Sequence, residues 1–243
     1  MTGLGDAGAV TGGPRVVVCA DAEAVAEWAA VFVAGHARAA VVDHGRFTLA
    51  VSGGRTPWAM FARLAVHGMP WERTTIFQVD ERVAPDGDGD RNLTHLRRSL
   101  PPTARAEIRA MPVCAEDLER AALDYARVLP EAFDLVHLGL GPDGHTASLV
   151  PDDPVLDVVD RDVAVTGVYQ GRRRMTLTFP ALDRARCLLW LVTGGDKADA
   201  LRRLLTGDHA IPAGRLSAAH AVVVADEAAA GGRRAAGARG ERR

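Results

Sequence analysis

The stretch from Phe133 to Leu149, FDLVHLGLGPDGHTASL, decides the fold of the chain. Its first part, residues 133–140, is almost continuously apolar, which is typical of a strand covered on both faces in a parallel sheet. Two glycines, a proline and an Asp-Gly pair then interrupt the run. We therefore predict a buried strand that ends in a loop.

Two ionisable side chains in this loop indicate chemistry. Asp143 and His145 follow the strand, and open α/β sheets bind their ligands at the carboxyl ends of strands. Histidine accepts a proton near neutral pH, and a nearby aspartate can orient the imidazole or stabilise its charged form. The alternative is an ordinary polar turn, because Asp-Gly is common in turns. The functional interpretation therefore needs other segments that converge on this loop.

Strands and helices alternate along the rest of the chain. We predict further strands over 15–20, 47–51, 74–79, 163–168, 175–179, 186–193 and 221–225, and helices after Asp21 and over 57–66, 93–100, 116–129 and 198–205. This alternation predicts an α/β fold, a Rossmann-like doubly wound, mostly parallel sheet with helices on both faces, in a single domain. We assign residues 15–230 to that domain, 1–14 to a flexible lead and 231–243 to a disordered basic tail.

The composition excludes several classes of partner. A net charge of −2 over 243 residues does not favour nucleic acid or a membrane surface, so neither is an expected partner. No apolar run approaches about 18 residues, so we expect no membrane-spanning helix. The three cysteines are far apart and lack metal-ligand spacing, which indicates a reducing cytoplasm and no metal site.

Polar motifs follow four of the predicted strands, at 52–56, 80–82, 143–145 and 194–197. Because the carboxyl ends of parallel strands lie at one edge of a sheet, we expect these motifs to form a single crevice.

The first of these motifs is a glycine turn that leads into a helix. Ser52, Gly53 and Gly54 precede Thr56, a plausible N-cap, and Pro57 suits the first helical position. Glycine lets backbone N–H groups approach a ligand, and a helix start favours an anion. The motif is neither GxGxxG nor a Walker loop, so we expect no nucleotide and no cofactor. The alternative is a helix cap that simply needed glycine.

Cationic side chains in the other motifs are candidates for a phosphate clamp. Arg82, Arg174 and Lys197 suit this role, since arginine grips phosphate bidentately and lysine acts as a point charge. Asp80 and Glu81 stand beside Arg82 and could support proton transfer, bind sugar hydroxyls, or simply form an ion pair with Arg82.

These motifs occur in an order that resembles the 6-phosphogluconolactonases of the glucosamine-6-phosphate isomerase/6-phosphogluconolactonase superfamily. The motifs are Ser52-Gly53-Gly54-x-Thr56-Pro57, Asp80-Glu81-Arg82, Gly139-x-Gly141-x-Asp143-Gly144-His145-Thr146-Ala147-Ser148-Leu149, Arg174-x-Thr176-x-Thr178 and Gly194-x-x-Lys197-Ala198. The resemblance spans about residues 15–230. It departs from the family pattern at Arg55, where a small residue is usual, and at Val150-Pro151-Asp152, where Phe-Pro-Gly is usual.

The resemblance implies a metal-independent hydrolase that converts 6-phospho-D-glucono-1,5-lactone to 6-phospho-D-gluconate in the oxidative pentose phosphate pathway. By matching position, His145 is the general base that activates water, and Asp143 steadies it. The expected substrate-binding residues are Ser52, Gly53, Gly54, Thr56, Asp80, Arg82, Gly141, Arg174 and Lys197. Backbone N–H groups of residues 139–144, together with Arg174, would stabilise the oxyanion.

Two other functions stay open at this point. A glucosamine-6-phosphate deaminase or isomerase shares Asp-Gly-His, but Thr146-Ala147-Ser148 favours the lactonase. A non-catalytic sugar-phosphate-binding regulator would need a helix-turn-helix, for which the lead before the first strand has no room. We expect a cytoplasmic monomer that binds a small-molecule sugar-phosphate lactone.

Overall fold

The computed structural model describes residues 13–232, so most of the predicted lead and tail, 1–12 and 233–243, lies outside the described residues. In chain order the strands are β1 (Arg15–Cys19), β2 (Phe47–Val51), β3 (Thr74–Gln78), β4 (Asp80–Arg82), β5 (Glu107–Arg109), β6 (Leu135–Leu138), β7 (Val163–Val165), β8 (Arg174–Leu177), β9 (Leu188–Val192) and β10 (Ala221–Asp226). The helices are α1 (Ala22–His44), α2 (Arg55–Arg63), α3 (Asn92–Ser99), α4 (Leu118–Ala126), α5 (Phe179–Asp183) and α6 (Ala198–Leu205).

The main sheet has seven strands in the order β1-β10-β9-β6-β2-β3-β5, and every neighbouring pair is parallel. This confirms the predicted α/β fold with a doubly wound, mostly parallel sheet. The chain builds β3 and β5 to one side of β2, and β6, β9 and β10 to the other. The boundary between β2 and β6 is therefore the topological switch point, beyond which open sheets form a ligand crevice.

Helices cover both faces of this sheet, as predicted. Successive residues of β9 alternate between two cores, because side chains of a strand point to opposite faces. Leu189 and Leu191 pack in the core that contains α1 and α2, whereas Leu188 and Trp190 pack in the core that contains α4 and α6. Burial on both faces explains why these strands are continuously apolar in the sequence.

A second, three-stranded antiparallel sheet in the order β4-β8-β7 corrects the sequence-based topology. The strands predicted over 163–168 and 175–179 belong to it and not to the main sheet. Only a short loop joins β7 to β8, and a short connection allows antiparallel pairing but not the crossover that parallel pairing requires. Asp80, Glu81 and Arg82, predicted to stand at the end of the strand over 74–79, form a separate strand, β4, and pair with β8.

Helix α1 is long and apolar enough, by length and composition, to cross a membrane, a feature that the search for apolar runs did not anticipate. Seven of its 23 residues are buried in the protein core, and a core helix passes the same test. The Asp21 side chain accepts a hydrogen bond from the Ala24 N–H, and Gly45 ends the helix with a φ of 81°.

Asp134 joins the two central strands. Its buried carboxylate accepts hydrogen bonds from the backbone N–H and the hydroxyl of Thr48, both at 2.8 Å, and contacts His44 Nε2 at 2.9 Å. Thr48 lies in β2, and Asp134 directly precedes β6. The carboxylate therefore fixes the register of the two strands at the switch point.

We predict that Asp134→Ala lowers the free energy of unfolding by about 3 kcal/mol, because a buried N–H and a buried hydroxyl lose a charged acceptor. Urea denaturation measures this loss. Asp43→Ala, at an exposed position of α1, is the control and should change stability by less than about 0.5 kcal/mol. Equal stability of the two variants would contradict the role of Asp134.

Candidate active site

The predicted strand-end motifs meet in one cavity of about 170 Å³. Its lining includes eight of the residues that the sequence selected: Ser52, Gly53, Asp80, Arg82, Gly141, His145, Arg174 and Lys197. Gly54 and Thr56 line an adjoining cavity of about 630 Å³, which shares Gly53 and Lys197 with the first. Asp143 does not line either cavity but contacts His145 from behind. The structure thus brings the candidate residues together from five separate segments.

His145 and Asp143 form a close pair. The Nδ1 of His145 lies 2.6 Å from Oδ1 of Asp143, and the His145 backbone N–H donates to the same oxygen at 3.1 Å. An ionised carboxylate only accepts hydrogen bonds, so Nδ1 carries the proton in this contact. When the ring is neutral, this contact leaves Nε2 with a free lone pair for a ligand of the cavity.

The backbone of the loop holds this pair in place. The Gly141 N–H donates to the His145 carbonyl at 2.8 Å, and the Gly144 N–H donates to the Gly141 carbonyl at 3.0 Å. A Cβ added at Gly141 would collide with the His145 ring and the Asp143 carboxylate. Glycine is therefore required at residue 141, where the loop folds back against its own histidine.

The surroundings of Asp143 keep it ionised. Burial alone would raise its pKa, but the backbone N–H and ring of His145, together with the hydroxyl of Tyr169, outweigh burial and lower the pKa of Asp143 below its ordinary value. Asp143 is therefore a carboxylate at neutral pH, as its contact with Nδ1 requires.

Tyr169 is a contact of this pair that the sequence did not reveal. Its hydroxyl donates to Oδ2 of Asp143 at 3.2 Å, and its ring lies edge-on to His145 with 5.5 Å between the ring centroids. Tyr169 lies outside every motif that carried the resemblance, and a lone tyrosine between two strands gives no sequence signal of function.

A buried cation lines the same cavity as the histidine. Arg174 is only 4% exposed, and its Nε has no hydrogen-bond partner among residues 13–232. Burial, followed by the nearby Arg82 cation, lowers the pKa of Arg174, while the Asp80 carboxylate opposes them. An unpaired buried guanidinium N–H is costly, so this side chain is suited to bind an anion of the cavity.

Lys197 supplies a second positive charge at the mouth of the same cavity, with its Nζ 3.1 Å from Asp196. It is the single lysine among the 29 lysine and arginine residues of the chain. A compact ammonium acts on a phosphate as a point charge, in contrast to the forked guanidinium of arginine.

Asp80 and Glu81, which the sequence could not separate, have different roles. Asp80 faces the cavity and accepts hydrogen bonds from Ser148 Oγ at 2.7 Å and Asn92 Nδ2 at 3.2 Å. Asn92 also accepts a hydrogen bond from Arg82, so it links the Asp80 carboxylate to the Arg82 guanidinium. Sequence reasoning gave no role to either Asn92 or Ser148.

Glu81 points into the protein instead. It is fully buried and accepts hydrogen bonds from the N–H groups of Asn92 and Leu93 at 2.7 and 2.8 Å, at the start of α3. Its ion pair is with Arg91, 3.0 Å away, and not with Arg82 as the sequence suggested. An anion at a helix start is favourable, so Glu81 positions α3 and with it Asn92.

The glycine turn before α2 forms a cradle beside these cations. The predicted N-cap at Thr56 is wrong: Gly54 is the N-cap, with a φ of 133°, and α2 begins at Arg55. The Thr56 hydroxyl bonds to the Thr193 hydroxyl at 2.9 Å instead. No side chain among residues 13–232 caps α2, so N–H groups of its first turn are available to an anion. Arg55 is exposed between two cavities.

Within the described part of the chain, no three His, Cys, Asp or Glu side chains come together in an arrangement that could hold a metal ion. The three cysteines are free thiols.

Comparison with known proteins places the chain among enzymes of sugar phosphates. A family model described as "Glucosamine-6-phosphate isomerases/6-phosphogluconolactonase" matches residues 20–225. A 6-phosphogluconolactonase of Synechocystis sp. is 37% identical over 77% of this chain and 83% of its own length, and one of Streptomyces coelicolor is 33% identical over 80% and 84%. The crystal structure of a 6-phosphogluconolactonase from Shewanella baltica superposes with a TM-score of 0.81 at 25% identity, over 90% of this chain and all of the other.

The matched residues 20–225 include all five segments of the cavity. They confirm the resemblance that the motifs indicated. The chain belongs to the glucosamine-6-phosphate isomerase/6-phosphogluconolactonase family.

Proposed function

We propose that this protein hydrolyses 6-phospho-D-glucono-1,5-lactone to 6-phospho-D-gluconate. One observation carries the proposal. His145, with Nδ1 bonded to a carboxylate and Nε2 left free, shares a small cavity with Arg82, Arg174 and Lys197. A proton acceptor and a cluster of cations in one cavity suit a substrate with a reactive ester at one end and a phosphate at the other. The names of the relatives support the same substrate.

His145 is the general base in this proposal. Its neutral ring accepts a proton from a water molecule through Nε2, and the water oxygen attacks the lactone carbonyl carbon. The Asp143 carboxylate stabilises the imidazolium that forms. The same imidazolium then returns the proton to the ring oxygen as the ester bond breaks, so no covalent enzyme intermediate is needed.

The phosphate lies on the opposite side, by the glycine turn. The first turn of α2 offers N–H groups from Gly54 onward, and Lys197 and Arg82 supply positive charge. Binding energy from the phosphate orients the ring, so that the carbonyl carbon lies near the water held by His145.

Arg174 stabilises the oxyanion. The N–H groups of Gly141 and Gly144 already donate to carbonyls within their own loop, so they are not free for this purpose. The Nε of Arg174 is buried and unpaired among residues 13–232, which makes it the better donor to the carbonyl oxygen as negative charge develops. Asp80 and Ser52 complete the lining and suit contacts with sugar hydroxyls.

The proposal includes metal independence and a cytoplasmic monomer. The direct test follows the disappearance of freshly made 6-phosphogluconolactone with and without the protein, in the presence of EDTA. Release of ammonia from glucosamine 6-phosphate tests the deaminase alternative in parallel. Hydrolysis that EDTA abolishes, or ammonia release without hydrolysis, would contradict the proposal, and the elution volume in size-exclusion chromatography tests the monomer.

We predict that His145→Ala lowers kcat about 10²- to 10⁴-fold, because the water loses its proton acceptor. Binding of 6-phosphogluconate, measured by calorimetry, should be retained, because the phosphate contacts are elsewhere. His209→Ala, at an exposed histidine outside both cavities, is the matched control. A kcat of His145→Ala close to the wild-type value would show that His145 is not the general base.

We predict that Lys197→Met raises KM for the phosphorylated lactone about 10- to 100-fold, the loss expected for one charged hydrogen bond. Hydrolysis of glucono-1,5-lactone, which lacks the phosphate, should stay at the wild-type rate. Arg120→Ala, an exposed cation on α4, controls for the loss of one positive charge. Equal losses on both lactones would show that Lys197 does not bind the phosphate.

A further inference from the structure

The loop between β7 and β8 ends in a tight turn, Tyr169-Gln170-Gly171-Arg172. Tyr169 and Arg172 exchange backbone hydrogen bonds of 3.0 and 3.3 Å. Both central residues have positive φ angles, 51° at Gln170 and 78° at Gly171, which is the pattern of a type I′ hairpin turn. Gln170 adopts this left-handed conformation at an energetic cost that glycine would not have. The turn therefore has a defined geometry.

Side chains anchor the turn on two sides. The Arg172 guanidinium contacts Asp88 at 3.4 Å and Asp90 at 2.9 Å, in the loop after β4. Gln170 Oε1 accepts a hydrogen bond from the Arg174 guanidinium at 3.2 Å. These contacts fix the turn, and its first residue, Tyr169, lies against the loop that carries Asp143 and His145.

Tyr169 touches three ionisable groups of the site. Its hydroxyl donates to Oδ2 of Asp143, the oxygen that His145 does not use. Its ring edge meets His145, and the Arg174 guanidinium lies over the ring face, 4.9 Å from the centroid. A cation above an aromatic ring is attracted to it. One side chain thus contacts Asp143, His145 and Arg174 together.

We propose that Tyr169 is a positioning residue. Its hydroxyl fixes Asp143 so that Oδ1 stays on Nδ1 of His145, and its ring keeps Arg174 directed at the cavity. Tyr169 acts through these neighbours and does not touch the reacting atoms. The effect of Tyr169 on catalysis rests on the proposed lactonase function. The contact between Tyr169 and Asp143 is independent of that function.

Asp143 needs such a second partner. Its side chain is 37% exposed, and the terminal torsion of an aspartate is broad, with no sharply preferred angle. A carboxylate held at one oxygen alone can rotate away from the imidazole. Hydrogen bonds to both oxygens, from His145 and from Tyr169, define the rotation.

The contact between Tyr169 and Asp143 can be followed through the pKa of Tyr169, which ultraviolet absorbance measures without an activity assay. Burial, followed by the negative charge and the hydrogen bond of Asp143, raises the pKa of Tyr169, while the Arg174 cation opposes them. His145 is the remaining titratable group in contact with the ring. The chain has two tyrosines, so Tyr125→Phe leaves Tyr169 as the single source of tyrosinate absorbance.

The first experiment is an ultraviolet absorbance titration of Tyr125→Phe. We expect a midpoint above the ordinary tyrosine value of about 10, and a lower midpoint when Asp143→Asn is added, because the carboxylate charge is removed. Tyr125 is buried and bonded to the Gln78 N–H, so its loss could destabilise the fold. The difference between titrations of the wild-type protein and Tyr169→Phe gives the same quantity without that substitution.

The second experiment separates kcat from KM. Tyr169→Phe keeps the ring and should lower kcat about three- to tenfold at nearly constant KM, the factor that corresponds to one hydrogen bond. Tyr169→Leu also removes the ring beneath Arg174, the proposed oxyanion donor, and should lower kcat further than Tyr169→Phe does. Tyr125→Phe, which loses a hydroxyl in the core, should melt at a lower temperature but keep its kcat.

A midpoint that Asp143→Asn leaves unchanged would overturn the proposed contact, and an unchanged kcat in Tyr169→Phe would overturn the positioning role. A wild-type protein without lactonase activity would contradict the proposed function instead. A midpoint that falls with Asp143→Asn in that same protein would still support the contact.

Discussion

The hydrogen bond between Nδ1 of His145 and the Asp143 carboxylate depends on the absence of a side chain at Gly141. The loop turns back so tightly that a Cβ there would occupy the space of the imidazole. Parallel pairing of β6 with β2 and β9 places this loop at the switch point of the sheet. The turn at Gly141 therefore sets the orientation of the His145 ring, and the order of the strands sets the position of the loop that carries it.

The charges around that nitrogen are arranged in two layers. The outer layer, Asp80, Arg82, Arg174 and Lys197, lines the cavity and is incompletely paired within the described residues. In the inner layer, Glu81 forms an ion pair with Arg91 and accepts hydrogen bonds from the start of α3. Buried charges are stable only when they are paired or bound to a ligand. The unpaired Nε of Arg174 is thus a structural reason to expect an anion.

The sequence predicted the main sheet and most of the cavity for a physical reason. Strands buried on both faces are apolar throughout, and glycines or charges directly after them mark the ends that meet in space. The second sheet was missed because strand periodicity does not say which sheet a strand joins. Thr56 was wrongly predicted as an N-cap, because its hydroxyl bonds to Thr193, 137 residues away. The roles of Asn92, Ser148 and Tyr169 were missed because their contacts join separate segments, although Ser148 lies in the motif that carried the resemblance.

The central claim is that Nδ1 of His145 donates a hydrogen bond to Asp143 and that Nε2 is the proton acceptor of the proposed reaction. Nitrogen NMR of the imidazole rings at mildly alkaline pH tests it most directly, with His145 assigned from the spectrum of a His145→Ala sample. We expect a protonated Nδ1 and an unprotonated Nε2, and an Nε2 signal that moves when 6-phosphogluconate is added. A proton on Nε2, or an Nε2 signal that the ligand leaves unchanged, would contradict the account.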